Sequence, residues 1–321
     1  MTSDAATPGG RGGLGGPNWP AWTIPTLLPE RGYESTATAE VRPRYEDIVQ
    51  DGRMQLTSLM PGLGSVWRTL GGSPKSPLAS LRAQGILPIL RRLVIVGEDG
   101  PFTIQASLQV SGTWRLARET GGDRLLLDMW LEVRAPKGQS LAPPPPPDAP
   151  LSLVGRIYAE HVITRPFAPR DERKVTRLDV PGLPAVPEDE HPLEDVSALL
   201  AGHPLEPAPH EHTFGMMHTD PNQHVNSLAY PRIFEEVALR HVAARGISPA
   251  PQALLARALD VRYRKPFFAG DRAAMTLHAE RLEAPAPGAA GVGPVGAVGA
   301  FAPAGAPAGT PPSCTIAERL A

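Results

Sequence analysis

The feature that most narrows the fold is an order of apolar patterns that occurs twice along the chain. In the first half, residues 33–41 suit a strand. Leu59, Met60, Leu63, Val66, Trp67 and Leu70 then recur at three- and four-residue spacing, which marks a helix with one buried face. Pro61 and Gly62 interrupt that pattern, so the regular helix begins there with Pro61 in its first turn. Four stretches rich in β-formers follow, at 86–96, 102–116, 124–133 and 151–163. Between them lie Glu98-Asp99-Gly100-Pro101, Gly121-Gly122 and the proline run 143–147, residue types that turn a chain. The second half repeats the order. A strand candidate ends over 213–217, a helix is predicted over 222–244 and stops at Gly246, and strands are predicted over 254–268, 273–282, 292–302 and 313–320. Pro61 and Pro231 fall in similar places in the two helices. One helix laid on a curved antiparallel sheet buries the apolar faces of both. The expected class is therefore α+β, with two tandem domains of this kind at 31–180 and 210–321.

The rest of the chain reads as connection. Residues 1–30 are rich in Gly and Pro and leave little to bury, which predicts a disordered tail. Trp19, Trp22, Ile24, Leu27 and Leu28 are the exceptions and suit a strap packed back on the body. Residues 181–209 form a Pro- and acid-rich linker whose tract 195–200 suits a short helix, and 284–292 reads as a long hairpin loop.

The net charge of −2 supplies no field that would draw the chain to nucleic acid or to an anionic membrane. No apolar run reaches spanning length, and the N-terminus lacks the apolar core of a secretory signal, so a cytoplasmic protein is expected. The single cysteine, Cys314, excludes an internal disulfide and any multi-cysteine metal site, and it suits packing in a terminal strand. Lysine occurs only at Lys75, Lys137, Lys174 and Lys265. The dominance of arginine fits a phosphorylated ligand, since a planar guanidinium matches phosphate, but a compositional bias accounts for it more simply.

The densest group of chemically able residues is His218-Thr219-Asp220-Pro221-Asn222-Gln223-His224-Val225-Asn226, followed by Tyr230 and Glu235-Glu236. It lies where a predicted strand gives way to a predicted helix, where backbone N–H groups and the helix dipole favour a developing negative charge. Asp220 is a base or nucleophile candidate, Asn222 can position a substrate or water, and His224 can move a proton near neutral pH. Alternate spacing turns all three to one side of an extended segment. The same Asp-Pro-Asn sequence is also what a helix cap requires, so spacing alone leaves both readings open.

The run from Asp220 to Asn226, with Tyr230 and Glu235 beyond it, resembles hotdog thioesterases. It looks most like the acyl-ACP thioesterases of plants and bacteria, which are two hotdog domains in one chain. Val261-Arg262-Tyr263-Arg264-Lys265-Pro266-Phe267 with Gly270-Asp271 resembles the strand and turn after the helix in these proteins. The likeness is sharp over about 217–276 and architectural elsewhere. It implies two tandem hotdog domains, a candidate active site at Asp220, Asn222 and His224, and Glu235 as a second carboxylate, with Glu236 as its alternative. It also implies that Val225, Asn226, Tyr230, Arg262 and Arg264 bind substrate. Where the family carries a Glu-Cys pair, this chain has Pro266 and Phe267, so a cysteine mechanism is disfavoured and Asp220 becomes the preferred base or nucleophile. The matching turn of the first half, 44–53, aligned on Gly52 places Val49 where Asp220 stands and Arg53 where His224 stands, and shifting by one gives Gln50 and Met54. The first domain is therefore read as structural or acyl-binding, with Asp47 and Asp51 as turn formers.

Hydrolysis of an acyl-CoA or acyl-ACP thioester is the expected activity, with coenzyme A or an acyl carrier protein as the partner that delivers the acyl group. The acyl chain is expected between helix and sheet. Basic residues Arg257, Arg262, Arg264 and Lys265 suit CoA phosphates or an acidic carrier protein, and equally a solvated strand face. A hotdog hydratase is disfavoured because only Gln223 separates Asn222 from His224. A non-catalytic acyl-binding protein remains as the alternative. No cofactor is implied. His210, His212 and His218 suggest a metal only weakly. Two domains in one chain can pair with each other, giving a monomer, or stack further into a homodimer.

Overall fold

The computed structural model describes residues 19–25, 36–72, 77–179, 186, 190–191, 195–282 and 293–321. The elements of the first half are β1 (Thr36–Val41), α1 (Met60–Gly72), α2 (Pro77–Ala83), β2 (Leu87–Gly97), β3 (Leu108–Glu119), β4 (Leu125–Pro136) and β5 (Leu151–Thr164). Three two-residue strands follow, β6 (Glu190–His191), β7 (Glu206–Pro207) and β8 (His212–Thr213). The second half then gives α3 (Ala229–Ala244), β9 (Ala256–Tyr263), β10 (Arg272–Arg281), β11 (Val295–Pro303) and β12 (Cys314–Leu320). The repeated order read from the sequence is present, and the class is α+β. The expected tail at 1–18 and 26–30, the loop at 284–292 and most of 181–194 lie outside the described residues.

All the strands join one sheet in the order β1-β3-β4-β5-β2-β9-β12-β11-β10-β7, with β6 on β3 and β8 on β10. Each half contributes the same path from edge to centre, and the first long strand after each helix meets its counterpart there. β2 and β9 pair antiparallel from Arg92↔Arg262 to Val96↔Ala258. Period-two alternation sorts the side chains. Leu93, Ile95, Leu127, Met129, Ile157, Leu259, Val261 and Ile316 face the helices and belong to one continuous core. The helices come close because the sheet offers glycine under them. A Cβ on Gly112 would stand 2.7 Å from Val66 of α1, and one on Gly299 would stand 2.5 Å from Phe234 of α3.

The other face of the sheet carries a transverse row of charges. Arg115, Asp128, Glu160, Arg92 and Arg262 are direct neighbours across five strands. Asp260, 4% exposed at its side chain, receives both Nε (3.1 Å) and Nη2 (2.6 Å) of Arg92, and Arg91 reaches Glu160 at 2.7 Å. Desolvated acids persist in such a setting only when donors meet them, and a two-pronged guanidinium does so with good geometry. Residues 19–25 cross this face as the strap read from the sequence. Trp19 donates to Glu280 (2.7 Å), the carbonyl of Pro25 accepts from Trp130 (2.9 Å), and Ile24 packs on Val94, Trp130 and Tyr158. The short 3-10 helix Val196–Leu200, capped by Asp195, covers Val298 and Ala317 beside Trp19 and Trp22.

Several boundaries differ from the sequence reading: β9 ends at Tyr263 rather than at 268, and the strand expected to end over 213–217 ends at Thr213, ahead of a 3-10 helix over Met216–His218. β3 begins at Leu108 rather than at 102, because Phe102 is held in an isolated bridge to Lys137. α3 begins at Ala229, not at 222. The N–H groups of Val225 and Asn226 are bonded to Phe267 and His218 carbonyls (2.7 and 2.8 Å), so the chain cannot start a helical ladder until it has passed them. Pro231 thus stands in the first turn of α3, as Pro61 does in α1, where a missing N–H costs nothing.

His161 on β5 is neutral in the fold. Burial pushes its pKa down to about 4, against a partial opposing effect of the Leu127 carbonyl 3.3 Å away. A depressed histidine contributes stability above its unfolded pKa and loses it as pH falls. Stability is therefore expected to drop by on the order of 3 kcal/mol from this residue between about pH 6.5 and 4. Urea titrations across that range on wild type and His161→Phe check it, with the variant losing less.

Candidate active site

The turn between β8 and α3 is built by its own backbone. Thr219 and Val225 form an isolated bridge, Asp220 N–H donates to the His224 carbonyl (3.2 Å), and Gln223 N–H to the Asp220 carbonyl (2.9 Å). Closing so tight a loop requires a left-handed residue, and Gln223 takes that conformation at φ 68°. Inside the loop the Asp220 carboxylate accepts from the backbone N–H of Asn222 (2.8 Å) through Oδ1. Its Oδ2 faces the Asn226 amide at 3.5 Å, and Nδ1 of His224 lies 4.0 Å from Oδ1. The Asp220 side chain is 19% exposed and that of His224 37%. The result is a carboxylate fixed by the turn, half-buried, with an imidazole beside it and an open side facing solvent.

The predicted site residues divide into two groups. Asp220, Asn222, His224 and Asn226 come together in this turn. Asn222 is exposed, and Asn226 Oδ1 accepts the Leu228 N–H at 2.8 Å, while the Asn226 carbonyl takes that of Ala229. The first N–H groups at the start of α3 are thereby occupied by Asn226, so the expectation of a free helix end beside Asp220 is not met. Val225 and Tyr230 are buried behind the turn. The Tyr230 hydroxyl accepts the Phe267 N–H (3.2 Å), and burial raises the phenol's pKa.

The other predicted residues stand elsewhere. Glu235 turns to the start of β9, where Oε1 accepts the Ala256 N–H at 2.8 Å, and burial raises its pKa. Its neighbour Glu236 is exposed and paired with Arg240 at 2.7 Å. Arg262 is on the far face of the sheet, 5% exposed, bonded to the Asp195 carbonyl (2.9 Å) and 3.8 Å from Asp260. It lines a shallow surface cleft with Arg91, Arg92, Glu160 and Val196, away from Asp220. The Arg264 guanidinium binds the carbonyls of Pro311 and Pro312. Strand alternation separates Arg262 from Tyr263, whose hydroxyl reaches the Ser227 carbonyl on the helix side at 2.9 Å.

Behind the turn lies an aromatic layer that the sequence reading did not single out. Phe214 packs on Phe267 (5.0 Å between centroids), Tyr230 (5.8 Å) and His218 (5.9 Å), and Tyr230 packs edge-on against Phe301 (5.5 Å). Phe267, which the resemblance set against the family cysteine, is 2% exposed and fills this layer. Cys314 is buried and its thiol pKa is raised by that burial. His212 lies edge-to-face with His218 at 5.0 Å, and burial lowers the pKa of His212. Among the described residues no group of three metal-ligating side chains gathers, and no helix is long and apolar enough to cross a membrane.

The first half holds the same turn without the same side chains. Ile48 and Met54 form the bridge, Val49 N–H bonds to Arg53 O (2.9 Å), Gly52 N–H to Val49 O (2.9 Å) and Gln55 N–H to Asp47 O (3.0 Å). Gly52, at φ 85°, takes the place of Gln223. This is the first of the two registers read from the sequence, with Val49 for Asp220 and Arg53 for His224. Arg53 instead binds the Ala321 and Ala253 carbonyls, tying the two halves together. Asp47 and Asp51 act as turn formers, accepting from Arg44 and Ser58 and from Arg53 respectively.

The left-handed residue gives a direct test of the turn. Gln223→Gly is expected to leave the melting temperature unchanged or higher. Gln223→Val is expected to cost about 1–2 kcal/mol, because a β-branched side chain is poorly tolerated there. Thermal denaturation of the two variants decides it.

No protein-family model and no curated protein sequence matches the chain. Solved structures do. A protein assigned as an oleoyl thioesterase from Lactobacillus plantarum superposes with a TM-score of 0.54 at 16% identity, covering 89% of this chain and 95% of that one. An acyl-ACP thioesterase from Bacteroides thetaiotaomicron gives 0.51 at 15% identity, covering 89% and 98%. The 12:0-ACP thioesterase of Umbellularia californica gives 0.50 at 11%, covering 89% and 97%. With one continuous sheet, a helix on each half and the same turn built twice, the chain has the double-hotdog fold of these thioesterase structures.

Proposed function

We propose that the chain hydrolyses acyl thioesters, of coenzyme A or of an acyl carrier protein, at the Asp220 turn. The observation that carries this reading is the held carboxylate. Asp220 is fixed by the Asn222 N–H and flanked by His224, with one side open to solvent, on a fold that solved thioesterases share. In this reading a water gives a proton to Asp220 as its oxygen bonds to the thioester carbon. The carbon–sulfur bond breaks, and the departing thiolate takes a proton from His224 or solvent. The exposed Asn222 amide donates to the carbonyl oxygen as it gains charge. The alternative, attack by Asp220 itself, passes through an anhydride that water then opens. Trapping the acylated enzyme with hydroxylamine separates the two, since only the anhydride route yields a hydroxamate, and label in the Asp220 carboxylate after one turnover in labelled water marks an anhydride opened at its aspartyl carbonyl.

The filled aromatic layer favours a second reading. The resemblance sets Phe267 against the family's cysteine, and Phe214, Tyr230 and Phe301 pack with it. An acyl-binding protein that kept the turn for folding fits that packing. Free-thiol release from a panel of acyl-CoAs and acyl-ACPs distinguishes the two. Hydrolysis predicts turnover that falls about 10²–10⁴-fold in Asp220→Asn and in His224→Gln, with circular dichroism unchanged. Tight acyl binding without turnover of any thioester selects the second reading.

A further inference from the structure

Both copies of the turn hang on a side chain that reaches back to the backbone, and the two side chains differ in kind. A short 3-10 segment leads into each turn, Tyr45–Asp47 in the first half and Met216–His218 in the second. Asp47 and His218 hold the same place in them. Each is bonded through its N–H to the carbonyl three residues back (3.1 and 3.0 Å). Each offers its own carbonyl to the N–H eight residues on, that of Gln55 or of Asn226 (3.0 and 2.8 Å). Each also anchors the start of its segment with the side chain. Oδ2 of Asp47 accepts the Arg44 N–H at 2.7 Å, and Nδ1 of His218 accepts the Gly215 N–H at 2.9 Å.

The two anchors respond differently to protons. Burial works against ionisation of Asp47, but hydrogen bonds from Arg44 and Ser58 outweigh it and hold its pKa below the usual carboxylate range. That acceptor therefore persists in mild acid. A backbone N–H can only donate, so Nδ1 of His218 carries no hydrogen, and the ring is neutral with its hydrogen on Nε2. An imidazolium bears a hydrogen on both nitrogens and cannot accept. Imidazole is the side chain that makes this change between neutral and mildly acidic pH. Around the ring stand His212 of β8, edge-to-face at 5.0 Å, and Phe214 at 5.9 Å. Glu236 of α3, paired with Arg240, acts on His212. The Asp271 carboxylate, in the turn before β10, is taken up by the Phe268 N–H (2.8 Å). Asp220 and His224 follow on the turn itself.

What the His218 anchor holds is the candidate site. The Met216 carbonyl accepts both the N–H (3.1 Å) and the hydroxyl (2.8 Å) of Thr219, and the His218 carbonyl closes the loop on Asn226, whose amide faces Asp220. We propose that His218 is a positioning residue: its neutral imidazole locks the segment that carries the Asp220 turn, and a second proton on the ring releases it. The hold on the turn stands by itself, and its consequence for catalysis rests on the thioester reading above.

Amide hydrogen exchange on the full chain tests the lock without turnover. Protection of the Gly215 and Asn226 amides is measured at about pH 7.5 and about pH 5.5. It is expressed against amides of β9 and β12, which report opening of the whole sheet, including any that His161 causes. Wild type is expected to lose at least about tenfold in this relative protection at the lower pH. His218→Asn, whose Oδ1 takes the place of Nδ1 and does not titrate, is expected to keep the same protection at both. His218→Leu, with no acceptor, is expected to be poorly protected at both. Where thioesters turn over, kcat/KM of wild type is expected to fall about tenfold further than that of His218→Asn between the two pH values, with similar values at the higher one. Wild-type protection that does not change with pH, the same drop in His218→Asn, or full protection in His218→Leu overturns the proposal. A kcat/KM profile identical in wild type and His218→Asn overturns it as well. The expected exchange pattern with no turnover of any thioester defeats hydrolysis and leaves the lock standing.

Discussion

The pairing of β2 with β9 is the interaction on which the rest of the molecule depends. Two half-sheets, each with one helix, become a single surface only because these strands exchange backbone hydrogen bonds over five residue pairs. An unpaired central edge would present a row of bare N–H and C=O groups to solvent. The junction is reinforced on both faces. On one side Arg92 of the first half grips Asp260 of the second. On the helix side Arg257 of β9 reaches the carbonyls of Met54 and Glu98, and Arg232 of α3 reaches the Thr57 hydroxyl (3.2 Å). The turn that precedes α1 is consequently held against the opposite half, not merely against its own.

The same turn, closed by the same backbone bonds, serves two purposes. In the first half its side chains are spent on structure: Asp47 holds Arg44 and Ser58, and Arg53 reaches across to the chain's last residue. In the second half the places of Val49 and Arg53 carry Asp220 and His224, which leave a carboxylate and an imidazole beside the open side of the turn. The fold does not require the acidic residue at this place, since Val49 stands there without disturbing the loop. That contrast weakens the view that Asp220 is present only to cap a helix, which in any case starts nine residues further on, at Ala229.

Much of this was legible in the sequence because it rests on period. The alternation of β-formers and the three- and four-residue spacing around Leu63 and Val66 give the element order, and most strands and α1 fall within a few residues of their predicted limits, with β3, β8 and β9 the exceptions. The Asp220–Asn226 cluster was visible as a concentration of able side chains. The start of α3 was not, because it depends on carbonyls of His218 and Phe267 that only the folded chain brings near. Arg262 and Arg264 look alike in the sequence. Strand parity sends the first to the far face, and a local loop engages the second. Glu318, fully buried on β12, was readable in principle. Cys314, Ile316, Glu318 and Leu320 alternate on one apolar side of the last strand, and a lone acid in such a series marks a buried carboxyl.

The strap at 19–25 has a consequence for how the molecule meets others of its kind. It runs from Glu280 in one half to Trp130 in the other, roofing apolar rows that would otherwise lie bare on the outer side of the sheet. A chain that carries its own roof leaves less greasy area there for a second sheet to lie against. Association through that side would first have to peel away two tryptophans, so the N-terminal segment acts as a built-in competitor to stacking.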